Sequence, residues 1–333
     1  MISGAVRCDL CGGEKAQSVL TTPRLDGPLV RCLSCGLYFV VKSPVVQDGI
    51  LCQAQPDAPA QDTILCHTPD VTPDVTPDVT PDVTPDVTPD VTIEMDRLAV
   101  RARELSLVEP QVEQNETPWR IVAAQERLHD LQRFVTGGRL LEIGCSTGEF
   151  LRAAQTRSFT VTGIEADAHT SAAARAQGLN CLTGSLFDAP LADVSQDAIA
   201  LYHVIEHLPS PSAVVRECER LLAPGGWLVV EAPNIQTLWY RLLGARWRQF
   251  IPDHLYFFTP ATLRRLCEQQ GLRVVECHSV GKAMSVRLFI SRVSRYSPAL
   301  ARWLNAISQR FQLDELTVKL KLGDVMRLYA QKN

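Results

Sequence analysis

Four cysteines near the start of the chain, Cys8, Cys11, Cys32 and Cys35, form two C-x-x-C pairs, each followed by a glycine and separated by twenty residues. A two-residue spacer lets one tight turn present two thiolates, and four thiolates complete the tetrahedral shell of a structural zinc. The same count argues against catalysis at that metal, because no position stays open for water. Further along, "LLEIGCSTGEF" at 140–150 admits two chemistries. Gly144-x-Ser146-x-Gly148 has the spacing of a nucleophile elbow that exposes a catalytic serine. Glu142 at a strand end, followed by small residues, equally suits a loop that cradles a cofactor before a helix. A third cluster, "YHVIEHLPSP" at 202–211, holds His203, Glu206 and His207, and "PDHLYFF" holds His254. These are groups that move or orient protons near neutral pH.

The elements around them decide between elbow and cradle. Short β-branched runs at 139–143, 160–164, 179–183, 197–203, 226–231, 272–280 and 324–330 alternate with helical patterns. Helices are expected at 94–108 and 117–135. Alternating strands and helices predict a mostly parallel sheet covered on both faces, with ligands at the carboxyl ends of its strands. An elbow serine follows several strands and an oxyanion-hole loop, whereas Ser146 follows the first strand and no HGGG-like segment exists. The cradle reading gains from "VTGIEAD", where Glu165 ends the second strand and is placed for a bidentate bond to ribose hydroxyls. A dinucleotide loop would read G-x-G-x-x-G, yet here Glu149 stands where pyrophosphate would lie, which argues against NAD.

Composition bounds the rest. A chain of 333 residues, 46% hydrophobic and with net charge −4, has room for one large domain and a small appendage, with no general affinity for nucleic acid. No signal peptide or apolar span is visible, and seven of eleven cysteines are scattered outside the paired set, so a cytoplasmic protein is expected. "PDVT" recurs six times from Pro69 to Thr92, and proline at every fourth residue prevents a packed core. The expected organisation is a zinc ribbon at 1–42, an extended acidic linker at 43–93, and a catalytic domain at 94–333.

In order and spacing, "LLEIGCSTGEF", "GIEAD", "TGSLFD", "QDAIALYHVIEHL", "LLAPGGWLVVEAPN" and "DHLYFFTPATLRRLCEQQGL" resemble the class I S-adenosylmethionine-dependent methyltransferases, from Leu140 to about Gly271. An N-terminal zinc ribbon joined to this domain also resembles bacterial methyltransferases, some sugar C-methyltransferases among them. The resemblance implies an α/β, Rossmann-like sheet of seven mostly parallel strands, the last antiparallel. It implies that Glu142 holds the methionine ammonium, that Gly144, Ser146 and Gly148 flank the cofactor, and that Glu165 binds its ribose. Ser185 and Leu186 fall at the adenine position, and His203 lines the cofactor. Serine at 146 departs from the usual glycine. His207 is the expected base, Glu206 its orienting partner and His254 a second candidate. The ubiquinone-pathway O-methyltransferases, which this stretch resembles, hold a divalent ion with an acidic residue and a Glu-His pair. His203 at the acidic position argues against magnesium here.

The expected activity is methyl transfer to a small molecule, such as a nucleotide- or lipid-linked sugar or another secondary metabolite. The alternatives are a zinc-ribbon RNA methyltransferase or a non-catalytic cofactor-binding protein. The former would show an Asn/Asp-Pro-Pro-aromatic motif after the fourth strand, and none is present. Residues 234–252 carry Trp239, Tyr240, Arg241, Arg246, Trp247, Arg248 and Phe250 without an acid, and 277–313 is likewise rich in arginine and free of acids. Apolar residues at 286, 289, 290 and 293, and at 300, 303, 304 and 307, predict two amphipathic helices in an insert at about 282–313. Together these segments read as a basic, aromatic cap for a phosphorylated acceptor or an anionic membrane surface.

Overall fold

The centre of the parallel sheet is built from strands whose sequences leave no polar face. β5 (Gly137–Ile143), β6 (Ser158–Glu165), β7 (Cys181–Thr183), β8 (Gln196–Tyr202) and β9 (Leu222–Pro233) run parallel, and Ala198 to Leu201 and Leu228 to Val230 are wholly buried. Such continuous apolar runs belong to strands covered on both sides. β11 (Leu272–Ser279) and β14 (Val325–Lys332) complete seven strands in the order β11-β14-β9-β8-β5-β6-β7, with β14 antiparallel to both neighbours. This is the Rossmann-like arrangement expected of a class I methyltransferase. A computed structural model of the chain describes residues 2–3, 7–41, 110–294, 297–314, 316–320 and 322–333. The linker at 43–93 and the helix expected at 94–108 lie outside the described residues.

Helices α1 (Pro110–Leu131), α2 (Glu149–Gln155), α3 (Ala168–Ala176) and α4 (Pro211–Leu221) precede or connect these strands. Asp167 of "GIEAD" caps α3, accepting the Thr170 N–H at 2.7 Å. After β9 come a short α5 (Leu238–Leu243), a two-residue β10 (Tyr256–Phe257) and α6 (Pro260–Gln269), started by a Thr259/Thr262 capping box. The insert before β14 holds both expected helices, α7 (Val286–Ser294) and α8 (Pro298–Arg310). They are bracketed by β12 (Lys282–Ser285) and β13 (Thr317–Leu320), which pair antiparallel, a hairpin not anticipated although β13 alternates as Thr-Val-Lys-Leu. Among the described residues, no helix is long and apolar enough to cross a membrane.

The cysteine-bearing segment forms β1 (Ile2–Ser3), β2 (Lys15–Leu20), β3 (Leu29–Cys32) and β4 (Tyr38–Val40), and β10 adds the fifth strand of the same antiparallel sheet. The division into a ribbon at 1–42 and a catalytic domain at 94–333 is therefore corrected: the described residues belong to one compact unit. Cys8, Leu10, Val30, Leu37 and Phe39 share one core with Ile205, Leu208, Val214 and Phe258. A second shared core joins Leu25 and Leu29 to Ile235, Trp247, Phe250 and Phe257. Burying aromatic rings of this size stabilises by about 2–3 kcal/mol each, so the small module is stapled on by far more than its own four-residue edge.

Candidate active site and cofactor cradle

β5 delivers Glu142 and the loop that follows it. The N–H groups of Gly144 and Cys145 both donate to the Ile164 carbonyl, at 2.8 and 3.1 Å, which stitches the loop to β6. Gly144 and Gly148 adopt left-handed backbone, φ 70° and 86°. A Cβ would meet Val204 Cγ2 at 2.5 Å in the first case and Leu179 Cδ1 at 2.2 Å in the second. Left-handed geometry and tight packing against the chain's own side chains thus require these glycines, rather than clearance for a ligand alone. Ser146 is left-handed too, φ 51°, at a cost of about 1 kcal/mol, which explains why glycine is usual there. Its hydroxyl lies 3.4 Å from the Arg120 guanidinium, a group unable to take its proton, so it is no nucleophile.

Glu165 is held in place by the chain. Its Oε2 accepts the Ser146 N–H at 2.8 Å and its Oε1 the Asp167 N–H at 3.1 Å, each oxygen keeping a lone pair. Glu142 is 4% exposed, and its Oε2 has no hydrogen-bond partner. Burial pushes its carboxyl well above the usual carboxylate range, with Arg127 opposing. An orphaned buried carboxyl oxygen at a strand end is the group a ligand ammonium would satisfy. Ser185 and Leu186 are both buried; the Ser185 hydroxyl accepts the Phe187 N–H at 3.2 Å and Leu186 packs into the core. The next residue, Phe187, is 37% exposed.

The turn after β8 carries His203, Glu206 and His207. His203 adopts left-handed backbone, φ 60°, and a bulky residue held there marks a site whose surroundings over-determine it. Its Nδ1 lies 3.2 Å from Glu206 Oε1, and its Nε2 lies 3.2 Å from Glu231 Oε1. Glu206 therefore orients His203 rather than His207, as an i,i+3 pair across the turn can and adjacent residues cannot. His207 is oriented instead by the Asp253 carbonyl, 3.0 Å from its Nδ1. Glu206 is wholly buried; burial alone would raise its carboxyl, but the His203 hydrogen bond and the fields of His203, His207 and His254 hold it below the usual value.

His254 stands edge-on to His207, ring centroids 4.7 Å apart, and its Nε2 is 4.0 Å from Glu206 Oε1. Burial, reinforced by the neighbouring His207, brings it down to about 3. A ring that stays neutral so far into acid is a weaker base near pH 7 than an exposed imidazole. Donor atoms of Glu206, His207 and His254 lie within 4.8 Å of one another. Two imidazoles and a carboxylate are a donor set that suits a transition ion.

Beneath His203 lies a buried ionic network that the sequence did not reveal. Glu231 accepts from Arg127 at 2.6 Å on one oxygen and from Arg327 at 2.6 and 2.9 Å on the other, while Arg327 also reaches Asp130 at 2.5 Å. Arg127 lies 4.2 Å over the Tyr202 ring. Burial opposes ionisation of Glu231, but Arg127, His203 and Arg327 outweigh it and hold the carboxyl well below its ordinary range. Arg120, seven residues before Arg127, contacts the cradle loop through Ser146 and Thr147, so α1 is anchored at one end and covers the cradle at the other.

The four paired cysteines converge. Cys8 and Cys35 Sγ are 3.5 Å apart, as are Cys11 and Cys32, and all four donor atoms lie within 4.8 Å. Sulfurs about 3.7 Å apart are what four bonds of ~2.3 Å to zinc would require. Burial works against Cys32, yet the Cys35 and Ser34 N–H groups bring its thiol down to about 7.

The basic, aromatic cap is corrected in part. Trp247 and Phe250 are 0% and 1% exposed, inside the core shared with the cysteine module, and Arg248 pairs with Asp324 at 2.6 Å. On α8 the apolar stripe does not face inward throughout: Leu300 and Trp303 are 46% and 61% exposed. Trp239, Arg241 and Arg246 do remain at the surface.

Residues 118–277 match a family model described as a methyltransferase domain. Over 165 residues the chain is 25% identical to the ubiquinone biosynthesis O-methyltransferase of Burkholderia pseudomallei, covering 45% of this chain and 71% of that one. The enzyme of the same name from Bordetella avium is 29% identical over 161 residues, 44% of this chain and 67% of the relative. Among solved structures, an S-adenosylmethionine-dependent methyltransferase from Archaeoglobus fulgidus is similar at TM-score 0.48 and 18% identity, over 67% of this chain and all of that one. The chain is an enzyme, a methyltransferase.

Glu165→Ala is expected to weaken S-adenosylmethionine binding by about 2–3 kcal/mol, the scale of bonds to a charged group. Calorimetric titration checks this, and unchanged affinity would place the ribose elsewhere.

Proposed function

We propose that this enzyme methylates a small, phosphate-bearing acceptor in the cytoplasm, with His207 as the base that removes the acceptor's proton. The observation that carries the cofactor's placement is the orphaned Glu142 Oε2 at the end of β5, beside a fixed Glu165 at the end of β6. Glu142 would take the methionine ammonium, Glu165 the ribose hydroxyls, and the Gly144 to Gly148 backbone the flank between them. The bound sulfonium supplies an electrophilic methyl group. What the chain must add is alignment of the acceptor and a place for its proton. Donation from His207 Nδ1 to Asp253 leaves Nε2 to accept that proton. His203, clamped between Glu206 and Glu231, shapes the wall on the β8 side.

The phosphate preference rests on surface chemistry. Arg241 and Arg246, near exposed Leu238, Trp239 and Leu242, lie in a stretch with no acidic residue, and Arg302 and Arg310 flank exposed Trp303. Guanidinium forks suit phosphate, and exposed rings suit a sugar, a base or a lipid chain. Incubating the enzyme with trideuteromethyl-labelled S-adenosylmethionine and a metabolite extract tests the proposal. Label in a phosphorylated soluble or lipid-linked molecule supports it; label confined to RNA or protein contradicts it.

We further propose that Cys8, Cys11, Cys32 and Cys35 hold one structural zinc. Elemental analysis of fresh protein should find about one zinc per chain, lost in Cys8→Ser. Because the module shares its core with the catalytic domain, that variant should also lower the melting temperature of the whole protein, which a detached ribbon would not.

A further inference from the structure

We propose that Asp9, in the first cysteine turn, is a positioning residue for methyl transfer, holding the Glu206–His207 turn by capping α4 from the opposite end of the sequence. α4 begins at Pro211 without a cap of its own: Ser210 makes no side-chain cap bond, and the first turn contains no acid. A helix start leaves N–H groups that need an acceptor and favours nearby negative charge. Asp9 supplies both. Its Oδ2 accepts the Ser212 N–H at 2.8 Å, and its Oδ1 accepts the hydroxyls of Ser210 at 2.7 Å and Ser212 at 2.9 Å. Only Leu208 and Pro209 separate His207 from this capped start, and Leu208 is buried in the core that also contains Leu10.

The other half of the His207 hydrogen bond is held by the same module. Val40 N–H donates to the Leu255 carbonyl at 2.8 Å, and Leu255 N–H donates to the Glu206 carbonyl at 2.8 Å. The Tyr256 hydroxyl donates to the Pro209 carbonyl at 3.0 Å. The segment that presents the Asp253 carbonyl is thus sewn both to β4 and to the catalytic turn. Asp9 touches no reacting atom and acts through these bonds. The inference rests on His207 being the base.

The test uses the full chain with histidine side chains labelled with nitrogen-15, the His207 signals being assigned by their loss in His207→Ala. The wild-type ring should show one tautomer, with Nδ1–H donating to Asp253. In Asp9→Ala that signature should give way to a tautomer mixture, and backbone exchange over 205–213 should quicken about five- to tenfold, the factor of a lost cap. S-adenosylmethionine affinity should stay within about twofold, since the cradle lies on β5 and β6. Asp9→Asn, which keeps one acceptor oxygen, should fall between. Ser210→Ala/Ser212→Ala, which keeps the backbone bond, guards against a variant that fails to fold. Variants that lower the melting temperature yet leave the His207 signature unchanged overturn the link. A changed signature with full turnover on the labelled acceptor overturns instead the role of His207 as base.

Discussion

Replacing His207 by alanine is expected to leave S-adenosylmethionine binding intact and to cut turnover by roughly 10²–10⁴, the usual worth of a positioned general base. His207 is selected over its neighbours by surroundings rather than by residue type. Its Nδ1 is engaged by the Asp253 carbonyl, which fixes the tautomer and directs the basic nitrogen away from that bond. His254, a few ångströms off, is brought down to about 3 by burial and is the weaker base of the two near pH 7. Glu206 is wholly buried and committed to His203. Turnover is measured on the acceptor found by labelling, with cofactor affinity followed separately. Unchanged turnover would mean that the acceptor loses its proton without help from this ring.

The largest stability effect should come from Glu231. Glu231→Gln keeps the side chain's shape and removes the charge that Arg127 and Arg327 share, leaving Asp130 as the acid bonded to Arg327. Breaking a buried pair in this way costs about 3–5 kcal/mol, because the remaining charges stay desolvated. Urea unfolding of the variant should show that loss. Converting Arg127 and Arg327 to methionine in the same chain should recover much of it, since a packed apolar substitute carries no desolvation penalty. A loss below about 1 kcal/mol would mean that water reaches the network. The pH dependence follows from the same carboxyl. A depressed folded-state value contributes stability that is present above the ordinary carboxylate range and lost as pH falls through the folded value. Glu231 should therefore still stabilise the fold below pH ~4.5 and stop doing so only in stronger acid.

The strands that build the site were legible because buried parallel strands write themselves as apolar runs. The expected 139–143, 197–203 and 226–231 appear within or overlapping β5, β8 and β9. Both insert helices were legible from their period, but not which face would be covered, since Trp303 and Leu300 face outward. β10 escaped notice for a different reason. It is two residues long, and its partners Tyr38 and Phe39 are more than two hundred positions away, so neither period nor proximity signals the pairing. Without it, the sequence separates a ribbon at 1–42 from a catalytic domain at 94–333, where the structure joins them in one sheet and one core. The Arg127–Glu231–Arg327 network was missed because arginine reads as a surface residue until its partner is known. His207 was chosen from its motif, while its orienting partner is a main-chain carbonyl, invisible in any sequence. Asp9 looked like one more polar residue in a cysteine turn.

S-adenosylmethionine is expected to occupy the ends of β5 and β6. Calorimetric titration of the intact chain with S-adenosylmethionine, and then with NAD, tests this most directly. Saturable binding of one S-adenosylmethionine per chain and no measurable binding of NAD are expected. Absence of S-adenosylmethionine binding by folded protein, or binding of NAD in its place, would contradict it.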